Sequence, residues 1–329
     1  MTLGVALSVF TKTESPASLG RFGRRGDLTA SRRKVRTCEP RSLLPARNIR
    51  CFAMSAAETE LIIEAGRTER NYWRDLFRYR ELFYFLAWRD VLVRYKQTVI
   101  GVLWAVVRPF LTMVVFVLVF SRIAKLPSDG VPYPVMVFAA MLPWQLFATS
   151  LSEGSNSLIS NANLISKVYF PRMIVPASAV IVSFVDFAIS CALLALLMVY
   201  YHVWPAWQLV ALPLFTALAL LTSTGAGLWL AALNVEYRDF RYVVPFIVQF
   251  GLYVSPVGFS STIVPEKWRL LYALNPMVGV IDGFRWAVSG GRAVLFLPGL
   301  LFSLAITFVL LLSGAWYFRK MERTFADVI

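Results

Sequence analysis

The chain has 329 residues, of which 58% are hydrophobic and 16% charged, with a formal net charge of +14. A typical soluble domain carries about 25% charged residues, and no water-soluble core of this size hides so much apolar surface; the same aliphatic and aromatic content excludes disorder. Three cysteines and one histidine make neither a disulfide scaffold nor a Cys/His metal cluster, so the chain belongs in a bilayer and no metal site is expected.

Residues 1–53 stand apart. They hold 11 Lys/Arg against Glu14, Asp27 and Glu39 and show no sustained helical pattern. They read as a basic, disordered extension: either a transit-type segment or a stretch outside the mature protein, with Met54 as its start. Without them the net charge falls to +6, so the high pI is no argument for nucleic acid and no nucleic-acid partner is expected.

Residues 54–98 form a cytoplasmic lead. Within it, Tyr72, Leu76, Tyr79, Phe83 and Leu86 recur at helical steps and predict a helix over 70–96. Arg74, Arg78 and Glu81 occupy another face. Apolar bulk opposite arginine is the pattern of a helix lying in the membrane interface, with its stripe among acyl chains.

Residues 99–329 contain long stretches free of charge. A span needs about 20 apolar residues, which predicts six helices over 99–120, 134–152, 174–200, 208–233, 243–259 and 295–318. The expected fold is an all-α polytopic membrane protein with an interfacial helix before it. An even span count puts both termini on one side. With the ends inside, the inner segments carry 26 Lys/Arg and the outer ones 6; without residues 1–53 the balance is still 15 to 6. The positive-inside rule makes both termini cytoplasmic.

Two charges interrupt the spans, Arg108 in the first and Asp186 in the third. Intramembrane ions pair with one another or face water, so Arg108 and Asp186 are expected either to pair or to line a polar conduit. Counting from the inner side places both near mid-bilayer. On the fourth span Ser223, Gly227 and Ala231 stand four apart, with Gly225 between them, a small-residue stripe for close helix packing. Phe246, Phe250, Tyr253 and Phe259 run through or past the fifth span, where aromatic faces would suit a conduit for repeating sugars; lipid-facing phenylalanine is the plainer reading.

The connection over 153–172 is long for a passive linker, which marks it as a docking element, with a plain linker as the alternative. The outer segment 256–292 carries two helix signals, one around Trp268 and one opened by Asn275 as cap and Pro276 at the first turn. Two short re-entrant helices would form a lid over a pathway, because irregular backbone at membrane depth needs protein or a water-filled cavity around it.

Catalysis finds little support. His202 is isolated, and neither a GxSxG elbow nor a zinc-type HExxH occurs. Gly-Lys is absent from the chain, so the phosphate-cradling P-loop is missing, and energy for uphill transport must come from another subunit or an ion gradient.

Taken together, these segments resemble the ABC-2 type permeases that export O-antigen, capsule and teichoic acid. The likeness runs from about Leu82 to Arg323. It rests on Gly101-Val102-Leu103-Trp104, Leu142-Pro143-Trp144, Phe170-Pro171-Arg172, the run Asn234-Val235-Glu236-Tyr237-Arg238-Asp239-Phe240, and Asn275-Pro276-Met277 leading to Phe284-Arg285. The resemblance implies a homodimeric permease in the bacterial inner membrane with two copies of a separate ATPase. That ATPase would hold ATP and Mg, and this chain would bind no cofactor. The interface helix and the loop with Asn163, Lys167, Tyr169, Phe170, Pro171 and Arg172 would contact it, with Glu236, Tyr237, Arg238 and Asp239 on the same cytoplasmic side. Trp268, Asn275, Pro276, Phe284 and Arg285 fall on the family's gate elements. The substrate implied is a lipid-linked glycan moving outward. A permease for a smaller lipid or drug, or a membrane-bound glycosyltransferase using Glu236 and Asp239, are the competing readings.

Overall fold

A computed structural model describes residues 72–96, 101–125, 130–204, 206–322 and 324–325. The expectations for 1–53 and for the lead up to residue 71 lie outside them. The described residues form helices and connecting turns, with no strand among them.

Two helices precede the bundle, α1 (Tyr72–Arg78) and α2 (Arg80–Lys96), with a turn at Tyr79 dividing the single helix expected there. α3 (Gly101–Phe116) continues as a π-helical stretch, Val117–Ile123. Then come α4 (Tyr133–Ser160), the short α5 (Ala162–Lys167), α6 (Ile174–Tyr200), α7 (Leu212–Glu236) and α8 (Phe240–Val254). α9 (Glu266–Tyr272) and α10 (Pro276–Val288) lead to the last long helix, α11 (Leu297–Met321).

Among the described residues, five helical segments are long and apolar enough to cross a membrane: Leu103–Ile123, Tyr133–Ser160, Ile174–Tyr200, Trp207–Glu236 and Leu297–Met321. The protein is therefore multi-pass. The remaining expected span, 243–259, ends early. α8 has 15 residues, about 22 Å at 1.5 Å each, against a hydrocarbon core of about 30 Å. Ser255 is extended (φ −80°, ψ 151°), the conformation a residue takes before proline, and here Pro256 follows.

α4 is the hub. Its most apolar window is 83% buried, against 17–39% for the other four, and it packs on α6, α7 and α10. One apolar cluster surrounds it, with Phe138, Leu146, Phe187, Phe215, Ile281 and Phe284 among its members. A second cluster closes one end of the bundle, joining Tyr72 and Leu86 to Leu158, Phe170, Ile174, Leu228 and Phe318.

That second cluster shows what part of the surface-helix stripe meets. Tyr72 and Leu86 are buried, with Leu76, Tyr79 and Phe83 packed beside them. The two ends of the stripe face the protein's own helices, while Leu76 and Phe83 also line an open groove beside α11. Phe77, Tyr84, Phe85 and Trp88 are exposed aromatics on α1 and α2. Helical spacing identifies a face but not what covers it.

The close approach of α7 to α11 is made by Gly225, whose missing Cβ would stand 2.7 Å from the Leu311 backbone nitrogen. Gly314 returns the contact, with its Cβ position 2.3 Å from the Gly225 carbonyl oxygen. Ser223 and Ala231 are buried, but no heavy atom lies within 4 Å of a Cβ built on Gly227. The small-residue seam thus runs through Gly225. Thr222 and Thr307 (2.8 Å) and the indole N–H of Trp229 to Ser313 (3.1 Å) add polar links along it.

Candidate functional site

Three groups of residues carry the functional expectations, and the fold treats each differently.

The first is the end of the bundle closed by α1, α2 and α5. α4 runs to Ser160, a turn at Asn161 starts α5, and the chain then extends through Val168 toward Pro171. Asn163, Lys167 and Tyr169 point outward, with Tyr169 54% exposed. Phe170 and Pro171 are buried beneath them. Phe170 sits in the apolar cluster, and the Arg172 backbone N–H donates to Glu322 Oε1 at 2.7 Å. The Arg172 guanidinium donates to the Glu322 carbonyl oxygen. The six residues of the expected docking loop therefore divide into an outward trio and an anchoring trio. Burial raises the Glu322 carboxyl above the usual carboxylate range, against the pull of the Arg172 N–H. Arg319 lies 4.6 Å from the centre of the Tyr72 ring, which joins the start of α1 to the end of α11. Arg89 of α2 donates to Asn161 Oδ1 at 2.8 Å. Glu236, Tyr237, Arg238 and Asp239 are exposed at the α7–α8 turn, while Asn234 is buried and donates to the Ser155 carbonyl and Asn156 Oδ1, each at 3.0 Å.

The second group is a polar cavity of about 240 Å³ between α2, α3, α4 and α6. Arg108 and Asp186 both line it, together with Arg94, Gln145, Thr149 and Ser183. Asp186 does not pair with Arg108. Its partner is Arg94, whose guanidinium lies 2.8 Å from Asp186 Oδ2 and 3.2 Å from Glu153 Oε1. The neighbouring Tyr95 hydroxyl also donates to Asp186, and burial, followed by that hydrogen bond, raises the Tyr95 phenol well above its usual range. Counting along the spans alone does not reveal Arg94, which belongs to the helix before them. α6 packs against α2 as well as α3, so Asp186 lies level with the end of α2. Among the described residues the Arg108 side chain has no ion pair, and the fully buried Ser183 hydroxyl has no hydrogen-bond partner.

The third group follows α8. Tyr242, Phe246, Phe250 and Tyr253 form one exposed aromatic stripe, with Phe246 stacked on Phe250 at 5.8 Å between centroids. The opposite side of the helix meets α4, where Trp144 of Leu142-Pro143-Trp144 covers Gly251; a Cβ there would stand 2.6 Å from the indole. Phe259 leaves the stripe. It lies in the unwound run after α8, half-buried.

That run, residues 255–260, is a backbone without a helix of its own, and side chains supply hydrogen bonds to its carbonyls from Val257 to Phe259. Arg285 donates to the carbonyls of Phe259 (2.6 Å) and Val257 (3.0 Å). The Tyr133 hydroxyl donates to the Gly258 carbonyl at 2.5 Å and that of Tyr272 to the Val254 carbonyl at 2.8 Å. Asn275 caps α10 by accepting from the Met277 N–H at 3.0 Å, and its amide reaches Ser255 Oγ at 2.9 Å. Pro276 occupies the first turn, as expected.

The two short helices after α8 differ from a paired lid. α9 is exposed, with Trp268 at 53%. α10 is buried from Met277 to Arg285 and wedges among α4, α7 and α11. A Cβ on Gly279 would meet Ser303 of α11 at 2.7 Å, and one on Gly283 would meet Phe215 of α7 at 2.2 Å. Phe284 is fully buried and Arg285 3% exposed, so both are struts rather than lining. Among the described residues no cluster of three or more His, Cys, Asp or Glu could hold a metal ion.

The family model for ABC-2 type transporters matches residues 81–289, from α2 through α10. The chain belongs to the ABC-2 transporter family. Among its relatives, an O-antigen export system permease of Myxococcus xanthus is 31% identical over 259 residues, which covers 78% of this chain and 98% of that protein. Another O-antigen export system permease, from Klebsiella pneumoniae, is 26% identical, covering 73% and 92%. A polysialic acid transport protein of Escherichia coli is 20% identical, covering 62% and 79%. The ABC-2 match encompasses α2, the α5 loop, the α8 stripe and the α10 wedge.

Proposed function

We propose that this ABC-2 permease exports a lipid-linked polysaccharide across the bacterial inner membrane, as a homodimer driven by two copies of a separate ABC ATPase. The observation that carries the reading is the likeness to an O-antigen export permease over 98% of that protein's length. A subunit without a P-loop draws its energy from a partner that holds ATP and Mg.

In this reading α8 is a sixth, short span, and both termini are cytoplasmic, as the Lys/Arg balance favours. The ATPase docks on the end formed by α2 and α5. Asn163, Lys167 and Tyr169 are the contact residues, and Phe170, Pro171 and Arg172 transmit the thrust into α6 and α11. The turn at Glu236–Asp239 flanks that surface. Phe246, Phe250 and Tyr253 line the conduit between the two copies, where stacking on sugar rings tolerates many glycans. α9, with Trp268, is the movable outer gate. α10, set by Asn275 and Pro276 and braced by Phe284 and Arg285, is its fixed frame. The cavity with Arg108 and Asp186 opens on the entry side.

Deletion of the gene with complementation tests the reading. Cells lacking the chain should lose surface polysaccharide and accumulate lipid-linked glycan on the cytoplasmic leaflet. Lys167→Glu with Tyr169→Ala should give the same phenotype while the permease remains in the membrane. Normal surface glycan in the deletion strain would refute it.

A further inference from the structure

A second cavity, separate from the one that Arg108 and Asp186 line, lies between α1, α2, α6, α7 and α11. Its volume is about 900 Å³. One wall is apolar, with Leu228 of α7 and Leu311, Leu312 and Ala315 of α11. Its other end is basic: Arg80, Arg319 and Lys320 line it, and among the described residues no Asp or Glu does. From Leu311 to Arg319 is eight residues along one helix, about 12 Å. The cavity therefore has the form of an amphiphile, with apolar surface along its length and positive charge at one mouth.

We propose that this groove binds an anionic phospholipid, its acyl chains on the α7–α11 wall and its phosphate at Arg80 and Lys320. Charge selects the occupant. Arg80 and Lys320, with no lining carboxylate among the described residues, favour an anionic headgroup over a zwitterionic one, at about 1 kcal/mol per basic residue near a membrane surface. The apolar wall belongs to a helix long enough to span the bilayer, a depth where lipid is the ready partner. Trp316, 64% exposed, stands beside the charges with Lys320 Nζ 5.5 Å from its ring centre, the place an interfacial tryptophan takes. The lipid would fasten α1 to α11 beside the Arg319–Tyr72 contact, and so fix the surface helix.

The test uses the full chain, purified and delipidated, with native mass spectrometry and thermal unfolding in phosphatidylglycerol or phosphatidylcholine of identical chains. Phosphatidylglycerol should be retained preferentially and raise the unfolding temperature more. Arg80→Gln with Lys320→Gln should cut that preference by about 25-fold, from two charges at the stated strength. Arg80→Lys with Lys320→Arg should keep it, and Ala315→Phe should weaken retention of both lipids. Arg319 is left intact because it stacks on Tyr72. Equal retention of the two lipids would overturn the proposal, as would a preference that survives the glutamine pair. Displacement by glycerol phosphate alone would make this a free phosphate site, and a cross-link between Leu312→Cys copies would give the groove to a second chain; either result overturns it too.

Discussion

Arg94 lies 2.8 Å from Asp186 and 3.2 Å from Glu153, so one guanidinium at the end of α2 clips the surface helix to both α6 and α4. The pair is half-buried, with side chains 35% and 20% exposed. Water therefore screens part of its attraction, and its worth lies between that of surface and interior pairs.

Removing either partner leaves the other uncompensated. Arg94→Gln and Asp186→Asn should each cost about 1–2 kcal/mol, read as a lower unfolding temperature in detergent and faster hydrogen exchange in α2. Arg108→Gln should change stability by less than about 0.5 kcal/mol. A charge swap between Arg108 and Asp186 should not restore the loss. Rescue by that swap would return Asp186 to Arg108.

Arg285 supports the unwound run after α8 through two carbonyls. Arg285→Met would strand both in a buried site at about 1–3 kcal/mol each. Thermal unfolding should show a loss of 3 kcal/mol or so, and proteolysis should cut first within 255–263. Arg285→Lys should recover only part, because a single ammonium lacks the planar fork.

The glycines of α7 make opposite predictions. Gly225→Ala drives a methyl into the Leu311 backbone and should destabilise by about 1–3 kcal/mol. Gly227→Ala has open space and should be neutral or gain up to about 1 kcal/mol from helix propensity. Chemical or thermal unfolding of the two single variants distinguishes them.

Glu322 gives a pH dependence. Burial, the main cause, raises its carboxyl in the folded protein, so the neutral form is favoured there. Its contribution is full below the unfolded value, about 4.3, and is lost as pH rises through the higher folded value. Hydrogen exchange at the α1–α11 contact should therefore speed up with pH beyond its intrinsic rate. Glu322→Gln should abolish that excess. An unchanged slope would remove Glu322 from the account.

Much of this was legible before any coordinates. Charge-free runs located the spans because a bilayer tolerates few ions, and the outward position of Lys167 and Tyr169 sits on the loop that its length had marked. Other features needed three dimensions. The run 243–259 is free of charge throughout, so counting charges does not reveal the break at Ser255-Pro256. Arg285 reads as an outer-segment charge, yet its acceptors lie at Val257 and Phe259, 28 and 26 residues away. The Tyr72–Leu86 stripe is the inward face, but spacing is blind to what covers it: protein at Tyr72 and Leu86, an open groove at Leu76 and Phe83. Arg94 was one basic residue among several, and only the depth of α2 along α6 makes it the partner of Asp186.

The most direct measurement reconstitutes the permease in vesicles with lipid-linked polysaccharide on the outer leaflet, with and without its ATPase added outside. The account predicts glycan delivered to the lumen only with both ATPase and ATP, and none when Lys167→Glu and Tyr169→Ala are combined. Full vectorial transport by the permease alone would contradict it.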